Sequence, residues 1–452
     1  MAHHPANHYP YPKYVISYNP VGYYPVGTFI HPQNVIIDPY NLPVQTYPGT
    51  PNRQYGSPMT VQEYEALMTD FRQLETGKCE LPDWLYDENG NFSISMSDIF
   101  AHELFYACLK DKRGSRFIQD NFPNVGTELR HQMFEAILQD PAFFDIATDR
   151  FGNFVLQKII EEVDGDFRQQ TIDLVAQRGV ELSFDRFACR VVQKVLDVFT
   201  PKELDPVLTS LQGSIVPMAL DQSANHVLQR IVKLFPNNDL AFLGAELALA
   251  MDDVICNKFG CRVVQYLLEK LCGALSAPYS DNDRKDVLRI MLDKIVSRPR
   301  YCQDEYANYV VQYILGHCFL TSYAEKIVER SIRRNFIQFS TDKFASHVIE
   351  KALEIIDPAT LDDIVHDLFM KHCGRNGRLA IEKMLFDQFG NYVVQRLLAI
   401  AIEIRHGRRK GTGSWFDPLS KKIIVNASAL LRYSSGKKII EVLSHELGTA
   451  IE

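Results

Sequence analysis

The chain has 452 residues, 46% of them hydrophobic, and a net charge of −8. That is enough apolar material for two or three domains or for one long repeat array. The acidic balance excludes a generally basic nucleic-acid binder whose affinity rests on phosphate contacts. No stretch approaches the roughly 20 apolar residues that span a bilayer, so no membrane association is expected. The N-terminus has no charged head followed by an apolar run, which speaks against a signal peptide. Nine scattered cysteines with no Cys-x-x-Cys predict reduced thiols in an intracellular compartment, with neither a disulfide framework nor a zinc site.

Residues 1–58 hold 11 of the 22 prolines and 9 of the 21 tyrosines. Proline at that density blocks long helices, so a disordered Tyr/Pro-rich tail is expected there. Residues 59–97 form the next expected unit, a helical N-terminal extension or cap. Its helical spacing shows at Val61, Tyr64, Leu67, Met68, Phe71 and Leu74. Residues 1–97 also carry 4 basic and 9 acidic side chains, so the rest of the chain is near neutral at −3. From Asp98 to the end the apolar pattern is helical nearly throughout, with frequent glycine and proline breaks. An all-α chain of this length and texture predicts a repeat array over 98–452.

Eight nine-residue segments align without gaps. They are DKRGSRFIQ from Asp111, DRFGNFVLQ from Asp149, DRFACRVVQ from Asp185, DQSANHVLQ from Asp221, NKFGCRVVQ from Asn257, DEYANYVVQ from Asp304, DKFASHVIE from Asp342 and DQFGNYVVQ from Asp387. Their fifth residues lie 38, 36, 36, 36, 47, 38 and 45 positions apart. The first residue, Asp or Asn, is a favoured helix N-cap. The fourth is always Gly or Ala, which predicts a close approach of helices. The seventh and eighth are apolar and predict core between stacked repeats. The third is aromatic in six copies and reads as further core, with Arg113 and Ser223 as the exceptions.

The fifth and ninth residues are four apart and share a helix face. They are polar throughout: Ser115/Gln119, Asn153/Gln157, Cys189/Gln193, Asn225/Gln229, Cys261/Gln265, Asn308/Gln312, Ser346/Glu350 and Asn391/Gln395. The sixth residue, beside that face, is Arg116, Phe154, Arg190, His226, Arg262, Tyr309, His347 or Tyr392. Each has a flat face that can stack on a base. A buried polar ladder of Asn and Gln is the alternative. It would not explain why the partner switches between Asn, Cys and Ser, nor Glu350, whose charge is costly to bury unpaired.

At these residues the chain resembles the Pumilio, or PUF, family of RNA-binding proteins, over roughly 98–452. The resemblance implies a crescent-shaped α-solenoid of eight three-helix repeats between terminal capping half-repeats, with LRYSSGKKIIEVL from Leu431 as the last. It implies single-stranded RNA as the partner, read at one base per repeat and antiparallel to the protein. In the family, Asn/Gln pairs with uracil, Cys/Gln or Ser/Gln with adenine, and Ser/Glu with guanine. Only a carboxylate accepts from both donors on the guanine edge, while glutamine matches the mixed edge of adenine. Reading from the eighth repeat to the first gives 5′-UGUAUAUA-3′. The resemblance further implies a cytoplasmic regulator of mRNA 3′ untranslated regions that represses translation or promotes decay. No enzyme motif, cofactor or metal site stands out, and a monomer is expected.

Two intervals between repeats are long. One carries extra residues near Ala277 to Asp283. The other carries them near His372 to Arg378, where HCGRNGR is glycine-rich and basic. In similar proteins the loop before the last repeat contacts protein partners, and docking is expected at His372 to Arg378. The basic run RHGRRK, from Arg405 to Lys410, reads as a solvated loop or as a phosphate contact.

Overall fold

A computed structural model describes residues 81–236, 240–273, 282–373 and 377–451. The expected tail at 1–58, the helix at 61–74 and most of the first long interval lie outside these residues. Residues Cys79–Glu452 form one compact unit. That unit is an α-helical solenoid. Among the described residues no helix is long and apolar enough to cross a membrane.

The architecture follows from the motif. Each of the eight motifs carries a helix: Lys112–Asp120, Gly152–Glu162, Ala188–Val198, Ala224–Leu234, Gly260–Gly273, Ala307–Gly316, Ala345–Ala352 and Gly390–Arg405. Each packs on the next in chain order, and the last packs on Ser434–Leu447. The first residue caps every one. Its side-chain oxygen accepts from the backbone N–H groups two and three residues on, as Asp185 does from Phe187 and Ala188 at 2.7 and 2.8 Å. Asn257 does the same at 2.8 and 3.1 Å. The cap satisfies donors that a helix N-terminus otherwise leaves unpaired.

The small fourth residue answers to backbone. A Cβ on Gly260 would stand 2.3 Å from the Val254 carbonyl oxygen, and one on Gly114 would stand 2.5 Å from that of Cys108. The carbonyl belongs to the helix just before the motif, so the close approach is within a repeat. Gly436 repeats the arrangement against Leu430, at 2.1 Å, in the terminal half-repeat. The seventh and eighth residues fill the core between repeats and are buried from Ile118 to Val394. Phe117 is the exception. It is half-buried and stacks on Phe92 of the N-terminal segment, with ring centroids 4.5 Å apart. That segment also takes up the odd Arg113, whose guanidinium lies 5.2 Å from the Tyr86 ring centroid.

The third residue is not core. Phe151, Phe187, Phe259, Tyr306, Phe344 and Phe389 are all half-buried. They sit in the capping turn ahead of the helix, where helical periodicity no longer assigns a face. Ser223, which breaks the aromatic column, is buried instead.

The interval before the eighth repeat forms a small antiparallel ladder, His372↔Leu379 and Cys373↔Arg378, after the helix Pro358–Met370. The run after the eighth repeat has structural work. Arg405 and His406 pair with Glu446, at 3.5 and 2.9 Å. The Arg409 guanidinium donates to the Leu353 and Ile356 carbonyls at the end of the seventh motif helix. The eight described cysteines are free, and burial pushes the thiols of Cys108, Cys256, Cys272 and Cys302 up to about 12.

Candidate nucleic-acid interface

The three polar columns have one exposure pattern, repeated eight times. The fifth residue is buried at 2–4% exposure in every repeat. The ninth is half-buried and the sixth exposed in every repeat. Phe154, Tyr309 and Tyr392 are each about half exposed, at 54%, 51% and 52%. Such rings would ordinarily be driven inward, so three of them left in solvent at the same motif position need a reason.

The pairs hold two geometries. In the four Asn/Gln repeats the asparagine Nδ2 donates to the carbonyl of the capping residue, for example Asn308 to Asp304 at 2.8 Å. Its Oδ1 accepts from the glutamine Nε2, as in Gln312 to Asn308 at 2.9 Å. In the second repeat Gln157 donates to Asn153 at 3.1 Å, and in the fourth Gln229 donates to Asn225 at 2.7 Å. In the eighth, Gln395 donates to Asn391 at 3.0 Å. Asn153, Asn225 and Asn391 each hold their own capping carbonyl.

In the Ser and Cys repeats the short side chain donates to the carbonyl three residues back. Ser346 reaches Lys343 at 3.4 Å, Ser115 reaches Lys112 at 3.3 Å and Cys189 reaches Arg186 at 3.5 Å. Cys261 reaches Lys258 in the same way, at 3.6 Å. Gln119 and Gln193 then turn to the backbone carbonyl of their own fifth residue. Gln265 differs from both. It is half-buried beside Cys261, and its amide makes no hydrogen bond among the described residues.

By spacing alone the fifth and ninth side chains are alike, a pair facing a base edge. The structure separates them. The fifth keeps only 2–4% of its surface open, so the ninth supplies most of what the pair presents to solvent. The ninth is itself partly engaged: Gln157, Gln229, Gln312 and Gln395 each spend one amide N–H on the neighbouring asparagine, whereas Gln265 keeps its whole amide. Length decides the asparagine bond: Asn Oδ1 reaches the glutamine one turn on, and a cysteine Sγ does not. It does not decide the rest, since Gln193 beside Cys189 turns to a backbone carbonyl and Gln265 beside Cys261 does not.

A buried Asn–Gln ladder is therefore half right. The pairs do bond to each other within four repeats. Among the described residues, though, no such bond joins one repeat's pair to the next, and the ninth side chain stays open to solvent. The internal bond fixes both amides and leaves the glutamine Oε1 free, and its second N–H as well except in Gln157, whose Nε2 also donates to the Asn153 carbonyl at 3.3 Å.

Glu350 is the one carboxylate in the ninth column. Burial pushes its pKa up, and His347 and Arg396 pull it partly back. His347 Nδ1 lies 3.7 Å from its Oε1. In the sixth column, burial and then Arg190 lower the pKa of His226, which favours a neutral ring. Arg116 pairs with Asp120 at 2.9 Å, and the Arg262 guanidinium lies 5.6 Å from the Tyr309 ring centroid. No group of His, Cys, Asp and Glu among the described residues could hold a metal ion.

One column escaped the sequence reading. The second residue of the motif is exposed in all eight repeats, and it is Lys or Arg in five of them. The charge pattern was visible in the alignment. That four of these cations lie over the following ring was not. Elsewhere, an open pocket of about 390 Å³ lies beside the short ladder, lined by Arg333, Arg334, Phe336, Ile364, Lys371 and Lys383 among others.

The family described as Pumilio-family RNA binding repeat matches residues 105–138, 142–176, 178–211, 214–248, 252–275, 300–329, 335–369 and 386–401. The chain belongs to the Pumilio family. Its repeat is an RNA-binding element, not a catalytic one. Fem-3 mRNA-binding factor 1 of Caenorhabditis elegans is 31% identical over 418 residues, covering 84% of this chain and 67% of the relative. Pumilio domain-containing protein 5 of the same organism is 32% identical over 386 residues, covering 80% and 69%. The chain thus spans about two thirds of the length of these relatives. Among solved structures, PUF-6 in complex with 5BE13 RNA matches with a TM-score of 0.70 at 29% identity, over 78% of this chain and 100% of that one. The Puf3 RNA-binding domain bound to the Cox17 RNA 3′ UTR recognition sequence matches at 0.57 and 27% identity, over 78% and 97%. The array is the Pumilio crescent of eight three-helix repeats.

Proposed function

We propose that residues 98–452 read single-stranded RNA at one base per repeat, preferring 5′-UGUAUAUA-3′, with the fifth and ninth residues on base edges and the sixth stacked between bases. The observation that carries this is the uniform pattern of buried fifth, exposed sixth and half-buried ninth side chains in all eight repeats. A buried floor positions the amide or carboxylate, and the exposed flat residue supplies a stacking platform. Uracil fits the Asn/Gln pair because its N3–H meets the free glutamine Oε1 and its oxygens meet the remaining amide hydrogens. Adenine fits Gln265 because an amide with no partner of its own can offer both a donor and an acceptor. The relatives named above, an mRNA-binding factor and a domain bound to a 3′ UTR sequence, support mRNA 3′ untranslated regions as targets. On this reading the protein is a cytoplasmic monomer that represses translation or promotes decay. Residues 59–97 cap the array after a tail at 1–58. The ladder from His372 to Arg378, with the basic pocket beside it, docks a regulatory protein. Selection from random RNA should return a UGU core. Enriched pools without it would refute the reading.

Guanine preference should also depend on pH. Guanine donates two hydrogens, so it needs Glu350 ionised. Because burial raises this carboxyl's pKa, its protonation begins at a higher pH than that of an exposed glutamate. The guanine-over-adenine ratio at the second base should therefore fall as pH drops from about 7 to about 5, where an unperturbed glutamate is still mostly charged. Bound guanine favours the ionised form and moves the fall lower. The Glu350→Gln protein should show no such step. An equal pH response in both proteins would remove Glu350 from this role.

A further inference from the structure

Base reading leaves the second residue of the motif without a task. It lies in the capping turn at the helix start, and an open pocket shared by the fifth and sixth repeats is lined by second residues, Lys258 and Glu305, together with sixth residues, Arg262 and Tyr309. Five of the eight are cations, Lys112, Arg150, Arg186, Lys258 and Lys343, and one is acidic, Glu305, in a chain of net charge −8.

The tenth residue offers an internal comparison. It carries five cations too, and all but Arg396 are ion-paired. Lys158 pairs with Glu162, Lys194 with Glu161, Arg230 with Asp197 and Lys351 with Glu354. Among the described residues, none of the five second-residue cations has an acidic partner within ion-pair distance. Four of them rest instead on the ring that follows. Arg150 lies 4.3 Å from the Phe151 centroid, Arg186 4.5 Å from Phe187, Lys258 4.5 Å from Phe259 and Lys343 4.8 Å from Phe344. A ring holds a cation in place without neutralising it. This also gives the half-buried third residue a purpose beyond packing.

We propose that these five cations form a rail for the RNA phosphates, running beside the stacked bases and interrupted at the sixth repeat by Glu305. The proposal rests on the base-reading function above. At Lys112, Arg186, Lys258 and Lys343 the backbone carbonyl accepts from the fifth side chain at 3.3–3.6 Å, so each of these cations starts beside the base-reading pair. Phosphate contacts carry no sequence information; they add affinity and salt dependence.

The test uses the full chain and the 5′-UGUAUAUA-3′ octamer, with affinity measured across salt concentrations. Replacing Arg150→Gln, Arg186→Gln and Lys258→Gln together should weaken binding. It should also flatten the slope of log Kd against log salt by about 2, since each single-strand phosphate contact contributes about 0.7. A four-fold rise in salt would then weaken the wild type about twenty-fold more than the variant. A control with Lys202→Gln, Lys285→Gln and Lys421→Gln, exposed cations off the motif helices, should keep the wild-type slope. The opposite change, Glu305→Lys, should steepen the slope by about 0.7 and so tests the rail without removing any side chain it uses. Wild-type slopes in both the triple variant and the Glu305→Lys protein, with guanine still preferred at the second base, overturn the rail and leave base reading intact. No base preference in the wild type, with the slope changes present, overturns base reading and supports the rail.

Discussion

Changing Ser346→Asn and Glu350→Gln together should move the preference at the second base of the site from guanine to uracil. The local structure is ready for the change. Asn308/Gln312 in the preceding repeat shows the target geometry, with the asparagine Nδ2 on the capping carbonyl and its Oδ1 on the glutamine. In the seventh repeat the corresponding carbonyl is that of Asp342, which already accepts from the Ser346 N–H as the Asp304 carbonyl does from Asn308. Ser346 is buried at 3%, so the larger asparagine must fit under the ninth residue, as it does in four other repeats. Losing the carboxylate removes the only group that accepts both guanine donors. A hydrogen bond to a charged group contributes about 1.5–3 kcal/mol, so guanine should lose about 10- to 100-fold in affinity. Glu350→Gln alone should pass through adenine, since it leaves the Ser/Gln pair. Competition binding with four RNAs that differ only at the second base measures this. Persistent guanine preference in the double variant would show that the repeat-to-base register is wrong.

Arg130→Ala should be the most damaging change away from the RNA face. Arg130 is a charged residue buried to 6% exposure, in the helix Glu128–Ile137 of the first repeat. Its guanidinium donates to the Pro123 carbonyl, the Glu162 carbonyl and the Glu162 carboxylate, with contacts near 3.2–3.3 Å to the carboxylate. It lies 5.5 and 5.2 Å from the Phe122 and Phe134 ring centroids. The side chain thus ties the loop after the first motif helix to the end of the second. Removing one partner of a fully buried pair costs about 3–5 kcal/mol, and here the Arg130 side chain is buried while that of Glu162 is 31% exposed and can be resolvated. Lys158 still holds Glu162, at 2.9 Å, which places the expected loss at the lower end of that range. Arg130→Lys should recover only part, since a lysine cannot serve three acceptors in a planar fork. Chemical denaturation reads the loss. Because repeats couple mainly to their neighbours, it should appear first as early unfolding of the N-terminal repeats. A wild-type midpoint in the alanine variant would contradict this account of the contact.

Much of the site was legible in the chain alone. The columns of Asn, Ser, Cys, Gln and Glu, the capping Asp and the small fourth residue are local features. The different states of the ninth column were not legible: beside the same fifth residue, Gln193 turns to the Cys189 carbonyl and Gln265 makes no such bond, and the residue types alone do not distinguish them. The third residue was misjudged as core because it stands just ahead of the helix, where a 3.6-residue period has no meaning. The basic run at Arg405 to Lys410 could not be assigned from sequence, because its partners, Leu353, Ile356 and Glu446, lie about 40–56 positions away. The second-residue cations were visible as charges, but only packing separates them from the equally basic tenth column, whose acids come partly from the neighbouring repeat.

The sequence by itself determined the repeat, its period, the caps and which side chains face one another, because a helix puts residues four apart on one face whatever surrounds it. The tertiary structure decided how deep each of those residues lies and which charges are neutralised. Those depend on the side chains of adjacent repeats about 33 to 56 positions away in the chain, and no local pattern records them.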